Sequence, residues 1–284
     1  MVCCPFLSRT IIVALLTAGL LGVARSRAED APKPIRALLV IGGCCHDYAK
    51  QKDILTKGIS ARANVQWTIA YDPDTGTKHL NPVYNSADWA KNYDVIVHDE
   101  CCSDVKDTEL INRILEPHRQ GLPGVVLHCG MHCYRSTGFP KTTPWFEFTG
   151  LITTGHGPQA PIALTFLDKD SPITIGQTSW TTINEELYNN FAGHLEGTAH
   201  ALVRGKQTFP TKRNAKPSVS DTVVVWTNMY KGKTKVFATT LGHNNETVAD
   251  PRYLDMVTRG LLWSVGKLDD AHLQPAKNVL IDKH

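Results

Sequence analysis

The chain reads Ala37-Leu38-Leu39-Val40-Ile41-Gly42-Gly43-Cys44-Cys45-His46-Asp47-Tyr48 shortly after its N-terminal segment, so an apolar run passes directly into glycines and reactive side chains. A short, continuous apolar run bounded by glycine is typical of a strand that is buried on both faces of a parallel sheet. In open α/β sheets, ligands bind beyond the carboxyl ends of such strands. The segment therefore predicts a first strand that ends in a functional loop.

Three further apolar runs end in the same way. They lead into His98-Asp99-Glu100-Cys101-Cys102, into His128-Cys129-Gly130-Met131-His132-Cys133-Tyr134-Arg135, and into Gly242-His243-Asn244. The segment between the last two carries Gly155-His156-Gly157 and Glu185-Glu186-Leu187-Tyr188. Because the carboxyl ends of parallel strands meet at one edge of a sheet, we expect these side chains to converge there.

The order of predicted elements indicates an α/β fold. Apolar strands over 36–42, 65–71, 93–98 and 124–128 alternate with helical patterns over 47–63 and about 110–121. Such alternation produces right-handed βαβ units and a mostly parallel sheet flanked by helices. We expect a flavodoxin-like core with strand order 2-1-3-4, which would bring the reactive loops of strands one, three and four together.

A loop-rich β insertion follows residue 140. Short strands are predicted at 162–167 and 200–204, and the polar stretch 206–220 is predicted to be a surface excursion. A hairpin over 222–226 and 234–240 and an amphipathic helix over 251–265 complete the pattern.

The N-terminal 28 residues predict a signal peptide. Arg9 precedes an apolar run over 11–24, and Ser26-Arg27-Ala28 places small residues at a cleavage site before Glu29. An uncleaved anchor is the alternative, although the run is shorter than the roughly 20 residues that a membrane span needs. Residues 29–35 form a polar leader. We therefore expect an exported protein, periplasmic or extracellular, with no membrane anchor after cleavage.

The charge balance excludes several partner classes. Without the signal peptide, the chain would carry 27 basic and 27 acidic residues. A net charge of zero gives no basis for nucleic-acid or anionic-membrane binding. We expect no nucleotide cofactor, and a homodimer is compatible with the fold.

Six cysteines lie beyond the predicted signal peptide. In an oxidising compartment disulfides are the default, and bonds between adjacent cysteines are disfavoured by geometry. The first expectation is a bond from Cys44 or Cys45 to Cys101 or Cys102. Metal thiolates are a second interpretation, and a nucleophilic Cys129 after the fourth strand is a third.

Histidines and carboxylates are the strongest candidates for chemistry. Imidazole binds divalent metals or transfers protons near neutral pH, and either use fits the positions of the loop histidines. A divalent metal, zinc or manganese, would take its ligands from His46, His128, His156 and His243. Catalytic roles are predicted for His128, Glu186 and His46. Aromatic and polar side chains near the same loops are expected to bind sugar: Tyr48, Asp99, Tyr134, Arg135, Trp145, Tyr188 and Asn244.

Several ordered motifs resemble the ThuA-like (trehalose utilisation) family of the class I glutamine amidotransferase-like superfamily. They are Gly42-Gly43 with His46-Asp47-Tyr48, Val125-Val126-Leu127-His128, Phe148-Thr149-Gly150 with Gly155-His156-Gly157, Glu185-Glu186-Leu187-Tyr188, Leu241-Gly242-His243-Asn244, and Arg259-Gly260-Leu261-Leu262-Trp263. The resemblance implies one domain over 36–267 followed by a tail over 268–284. It also implies an amidotransferase-like fold without amidotransferase catalysis, and a role in carbohydrate catabolism.

Three functional hypotheses follow. The leading one is an enzyme that processes a 3-keto-glycoside or a related saccharide by His/Glu acid–base chemistry, with or without a metal. The second is a non-catalytic sugar-binding protein that uses the same cleft. The third is an amidase or thiol hydrolase that uses Cys129.

Overall fold

The structure is a computed structural model that describes residues 1–2, 32–188, 193–209, 217–277, 279 and 281–283. The chain divides into two units, Met1–Ala31 and Pro32–His284, and all elements named below belong to the second. The predicted signal peptide lies almost wholly outside the described residues. Within the described residues, no helix is long and apolar enough to cross a membrane.

Twelve strands and five α-helices make up the described fold. The strands are β1 (Ile35–Gly43), β2 (Val65–Asp72), β3 (Val95–Cys101), β4 (Gly124–Leu127), β5 (Leu151–Ile152), β6 (Ala160–Phe166), β7 (Thr181–Glu185), β8 (His194–Leu195), β9 (Ala199–Phe209), β10 (Ser218–Tyr230), β11 (Thr234–Thr239) and β12 (Ile281–Lys283). The α-helices are α1 (Tyr48–Ser60), α2 (Thr108–Arg119), α3 (Pro144–Thr149), α4 (Asn245–Val248) and α5 (Pro251–Ser264).

Ten of these strands form one mixed sheet in the order β12-β2-β1-β3-β4-β11-β10-β9-β6-β7. The first six strands are mutually parallel, and the remaining neighbours pair antiparallel. The predicted order 2-1-3-4 is confirmed. The hairpin β10–β11 places β11 beside β4, so the loop after β11 joins the same sheet edge as the loops after β1, β3 and β4.

Apolar side chains alternate between two cores on the two faces of the sheet. Leu39 and Ile41 of β1 pack with residues of α1 and α5, whereas Leu38 and Val40 pack with residues of α2 and α3. Because both faces are covered, the parallel strands need apolar residues at every position. This explains the continuous apolar runs in the sequence.

Two glycines let the loop after β1 pass between its neighbours. Gly42 and Gly43 have φ values of 142° and 96°. A Cβ at Gly42 would lie 2.3 Å from the carbonyl oxygen of Asp72, and one at Gly43 would lie 2.2 Å from that of Cys101. Side chains are therefore excluded here by both backbone conformation and space.

The β insertion is more regular than the sequence predicted. Residues 206–209 and 218–220 of the proposed surface excursion extend β9 and β10, where Lys206 pairs with Asp221 and Phe209 with Ser218, and residues 210–216 lie outside the described part of the chain. The C-terminal segment predicted to be a tail contributes β12, which pairs in parallel with β2. Both elements are short or polar, and their pairing depends on a sheet edge that sequence periodicity does not reveal.

We expect the stability of the protein to fall as the pH is lowered from about 6.5 to about 5. Burial, followed by the charge of His98, lowers the pKa of His118 to about 3. Burial likewise lowers the pKa values of His46 and His132. Below pH 6.5 the unfolded chain takes up protons at these positions, whereas the folded chain does not. Each such histidine therefore lowers the free energy of unfolding by up to about 1.4 kcal/mol for every pH unit below 6.5.

Urea unfolding at a series of pH values measures this dependence. The raised pKa values of Asp99 (about 8) and His243 offset part of the slope, because each group binds its proton more tightly in the folded state. A His118→Gln variant should show a shallower slope than the wild type. A free energy of unfolding that stays constant across this range would contradict the expectation.

Candidate functional site

Four of the predicted residues form one cluster at the carboxyl edge of the sheet. His46, His128, Glu186 and His243 each offer a ligand atom, and these atoms all lie within 4.8 Å of one another. We call these four residues the histidine–glutamate cluster. They come from segments far apart in the sequence, so only the sheet order brings them together.

Each member of the cluster stands at the end of a strand. His46 follows β1 just before α1, whose N-cap is Asp47. His128 directly follows β4 and has a φ of 37°, a backbone conformation uncommon for residues other than glycine. Glu186 follows β7, and His243 lies beyond β11. The strand ends thus place three imidazoles and one carboxylate around one point.

Hydrogen bonds orient the His128 ring. Its Nδ1 lies 2.6 Å from the carbonyl oxygen of Thr240 and must donate to it, because a carbonyl oxygen only accepts. In the neutral ring the lone pair is then on Nε2, which lies 3.2 Å from the Tyr188 hydroxyl and 3.6 Å from Glu186 Oε2. A backbone carbonyl that sets the tautomer in this way is a recurrent feature of metal-binding and catalytic histidines.

Glu186 is the electrostatic centre of the cluster. Its Oε2 lies 3.2 Å from His243 Nδ1 and 3.5 Å from His156 Nε2. Although burial opposes it, hydrogen bonding to His128 and His243 holds the pKa of Glu186 well below its ordinary value. The carboxylate is therefore ionised at neutral pH.

The two partly buried histidines of the cluster differ in their protonation. Burial, assisted by the charges of His128 and His243, lowers the pKa of His46 to about 2. Hydrogen bonding to Glu186 raises the pKa of His243. The two rings are in contact, with His46 Nε2 3.1 Å from His243 Nδ1. Near neutral pH the cluster therefore contains a neutral imidazole beside one that holds a proton more tightly, and such opposed pKa shifts mark acid–base sites.

Glu185 positions the loop that carries His243, a role that sequence reasoning missed. The side chain is fully buried, and its carboxylate accepts hydrogen bonds from the backbone N–H groups of His243 (2.9 Å) and Asn244 (3.1 Å). Gln51 of α1 donates to the carbonyl oxygen of His243 (3.1 Å). Glu185 and Glu186 are equivalent in the sequence. Their side chains point in different directions, so Glu185 positions the loop and Glu186 belongs to the cluster.

His156, Tyr188 and His132 form a stack along one side of the cluster. The rings of His132 and Tyr188 are stacked, with centroids 4.0 Å apart and planes nearly parallel, at an angle of 9°. His156 pairs with Tyr188 through an isolated β-bridge and keeps 39% of its side chain exposed. Its Nδ1 donates to the carbonyl oxygen of Gly157 (2.8 Å), which directs Nε2 toward Glu186. Of the four predicted metal-binding histidines, His156 is the most open to solvent.

A cavity of about 440 Å³ opens above the cluster. Its lining residues are Cys45, His46, Asp47, His243, Asn244, Asn245 and Glu246. Tyr48, predicted to bind sugar, is buried beneath this surface, with its hydroxyl 3.0 Å from His46 Nδ1. Asn244 lines the cavity and donates to the carbonyl oxygen of Asn184 (2.6 Å). A small polar ligand can therefore reach the cluster from the side of His46 and His243.

Other predicted sugar-binding residues lie away from this cavity, which corrects the sequence-based expectation. Trp145 and Tyr134 are fully buried in the core that includes residues of α2 and α3, where Trp145 donates to the carbonyl oxygen of Gly130 (2.8 Å). Both follow reactive loops in the sequence, but their rings pack inward. Asp99 is also buried, and burial, followed by the charge of Glu100, raises its pKa to about 8. Arg135 donates to the carbonyl oxygen of Thr154 (3.2 Å) beside the ring stack.

The cysteine pairing differs from the predicted one. The structure joins Cys44 to Cys45 and Cys101 to Cys129, and leaves Cys102 and Cys133 as buried thiols. The predicted partners are nevertheless close, because the Sγ atoms of Cys44 and Cys101 lie 3.4 Å apart. While its sulfur is in this disulfide, Cys129 has no thiolate to act as the nucleophile of a hydrolase.

Comparisons with known proteins give a consistent result. The sequence profile of the ThuA family, described as trehalose utilisation, matches residues 36–264. No curated protein matches the chain significantly.

Two solved structures share the fold. A ThuA-like protein from Parabacteroides merdae has 18% identity and a TM-score of 0.61, with 87% of this chain and 96% of that chain covered. A ThuA-like protein from Bacteroides uniformis has 16% identity and a TM-score of 0.60, with 87% of this chain and 98% of that chain covered. At 16–18% sequence identity, the similarity to these two structures shows a shared fold and nothing further. Because the family profile extends over most of the chain, the protein belongs to the ThuA (trehalose utilisation) family.

Proposed function

We propose that this protein is an exported enzyme of carbohydrate catabolism that cleaves a 3-keto-glycoside or a closely related oxidised saccharide. The proposal rests on one observation, the convergence of three imidazoles and an ionised carboxylate beneath an open polar cavity. Membership of a family described as trehalose utilisation supports a saccharide as the ligand. A periplasmic or extracellular location is part of the proposal.

The proposed reaction is elimination followed by hydration. A carbonyl group at C3 of the sugar acidifies the C–H bond at C2. A base removes the C2 proton, the C1–O glycosidic bond breaks, and the leaving oxygen takes a proton from an acid. Water then adds to C1 and a proton returns to C2, which gives the free 3-keto sugar and the released alcohol.

The cluster offers groups suited to both proton transfers. Glu186 is ionised and His46 is neutral, so either can accept a proton, whereas His243 holds a proton more tightly and is suited to donate one. His128, oriented by Thr240, presents the Nε2 lone pair of its neutral ring and would accept a hydrogen bond or a proton from a hydroxyl group of the substrate. General acid–base catalysis by positioned groups contributes about 10²–10⁴ in rate.

The same donor set fits a divalent metal. Three imidazole nitrogens and a carboxylate oxygen are ligands that zinc and manganese accept, and the tautomer of His128 leaves its Nε2 lone pair free for one. His46, His128, Glu186 and His243 would hold the ion, which supplies Lewis-acid polarisation of a carbonyl oxygen when bound. His156 lies at the rim, where it would face the substrate.

Isotope incorporation tests the reaction. Purified protein is incubated in D₂O with 3-keto-trehalose and, separately, with trehalose, with and without added zinc or manganese. Elimination–hydration should release monosaccharide from the keto sugar and place one deuterium at C2. A variant of the exposed His200, which pairs with Asp168 far from the cluster, serves as the active control.

Other outcomes would overturn the proposal. Cleavage without deuterium at C2 would show direct hydrolysis instead. Saccharide binding without turnover of either sugar, under every metal condition, would establish the non-catalytic sugar-binding alternative.

A further inference from the structure

Four cysteines form a continuous path of sulfur atoms from the surface to the interior. Cys45 is exposed and lines the cavity, Cys44 is 9% exposed, and Cys101 and Cys129 are buried at 3% and 5%. The bonded pair Cys44–Cys45 meets the bonded pair Cys101–Cys129 where Cys44 Sγ lies 3.4 Å from Cys101 Sγ. A small thiol in the cavity therefore has direct access to the first disulfide but not to the second.

We propose that these four residues are a thiol–disulfide exchange relay that carries two electrons from a small external thiol to the buried Cys101–Cys129 disulfide. Exchange proceeds by attack of a thiolate on a disulfide sulfur, and it requires access to that sulfur. The relay supplies this access without unfolding. It is independent of the saccharide chemistry proposed above.

The exchange proceeds in four displacement steps, each of which forms one S–S bond and breaks another. The thiolate of an external thiol attacks Cys45 Sγ, forms a mixed disulfide there, and releases Cys44 as a thiolate. The Cys44 thiolate attacks Cys101 Sγ, forms a Cys44–Cys101 bond, and releases Cys129, which takes a proton from water. A second external thiol then frees Cys45, whose thiolate attacks Cys44, restores the Cys44–Cys45 bond and releases Cys101. Two external thiols are oxidised to one disulfide, and one protein disulfide is reduced to two thiols.

The end of the relay lies beside the histidine–glutamate cluster. Ligand atoms of His46, Cys101 and Cys129 lie within 4.8 Å of one another. Reduction of the buried disulfide would therefore place two thiols next to His46.

Differential alkylation and peptide mapping test the relay. Trypsin releases peptides 37–50, 92–106 and 120–135, each of which carries one pair of cysteines. The folded protein is treated with reduced glutathione, quenched with acid and alkylated at intervals. The Cys44→Ser/Cys45→Ser variant should lose the Cys101–Cys129 bond at least about tenfold more slowly than the wild type, since direct access is blocked. A Cys102→Ser variant, which removes a buried thiol outside the relay, should reduce at the wild-type rate.

A trapped intermediate gives a second readout. In Cys45→Ser, Cys44 has no partner at its own position and should bond to Cys101, which cross-links peptides 37–50 and 92–106 and leaves Cys129 as a free thiol. The same cross-link should appear transiently in the wild type, so the test does not depend on any variant folding. Equal reduction rates in wild type and double variant, or an intact Cys101–Cys129 bond beside a free Cys44 thiol in folded Cys45→Ser, would overturn the proposal.

Discussion

Glu186→Gln should lower kcat on the keto sugar by about 10²–10⁴-fold while leaving the protein folded. The substitution keeps the size of the side chain but removes the charge that faces His128, His156 and His243. It removes both a proton acceptor and the group that keeps a proton on His243. Steady-state kinetics measure the loss, and circular dichroism verifies the fold.

An imidazole titration separates a catalytic role from a structural one. Hydrogen bonding to Glu186 is the main cause of the raised pKa of His243, so that pKa should fall toward its ordinary value in Glu186→Gln, as measured by NMR on chelator-treated protein. Glu196→Gln is the matched control, because that carboxylate accepts from Thr142 outside the cluster. Unchanged kcat together with an unchanged His243 titration would refute the assignment.

Trp226→Ala should destabilise the protein by about 3–5 kcal/mol, the range for removal of a buried tryptophan side chain. Trp226 lies on β10, is fully buried in the core that includes α3, and donates from Nε1 to the carbonyl oxygen of Thr149 (2.7 Å). Its loss would leave a cavity between the hairpin and α3 and an unpaired carbonyl group. Urea unfolding monitored by circular dichroism measures the change.

Two further variants divide this effect into its parts. Trp226→Phe keeps most of the apolar volume but removes the hydrogen bond to Thr149, and it should cost less than Trp226→Ala. Trp263→Ala removes a half-buried ring on α5 that lies beneath Lys235 and should cost least. A Trp226→Ala protein as stable as Trp263→Ala would show that β10 does not anchor this core.

The strands that could be predicted from the sequence are those whose hydrophobic pattern fits a single type of secondary structure. The runs at 37–41, 95–97 and 125–127 are apolar at every position, which indicates strands of a sheet with no solvent-exposed face. These runs also alternate with helical patterns. The strand order 2-1-3-4 was expected from a flavodoxin-like core. The short strands β5, β8 and β12 have no such pattern, because two or three paired residues depend on a neighbouring edge rather than on their own periodicity.

The sequence singled out the four residues that meet in the histidine–glutamate cluster, and their functional roles stay a prediction. His46, His128, Glu186 and His243 stood out because each follows a strand, and strand ends meet. The inward orientation of Tyr134 and Trp145 and the positioning role of Glu185 could not be predicted. They depend on which face of a loop each side chain takes, and loops have no fixed period.

By itself, the sequence determined the fold class, the sheet edge at which the histidine–glutamate cluster forms, and the family of the protein, because hydrophobic periodicity and motif order are properties of neighbours along the chain. Only the tertiary structure decided which residues touch. His128 and Thr240 are 112 residues apart, yet a hydrogen bond between them sets the tautomer of the ring. Likewise, Cys44 and Cys101 are brought to 3.4 Å across 57 residues. Distances of this kind arise from the packing of β1, β3, β4 and β11 side by side, and no local pattern encodes them.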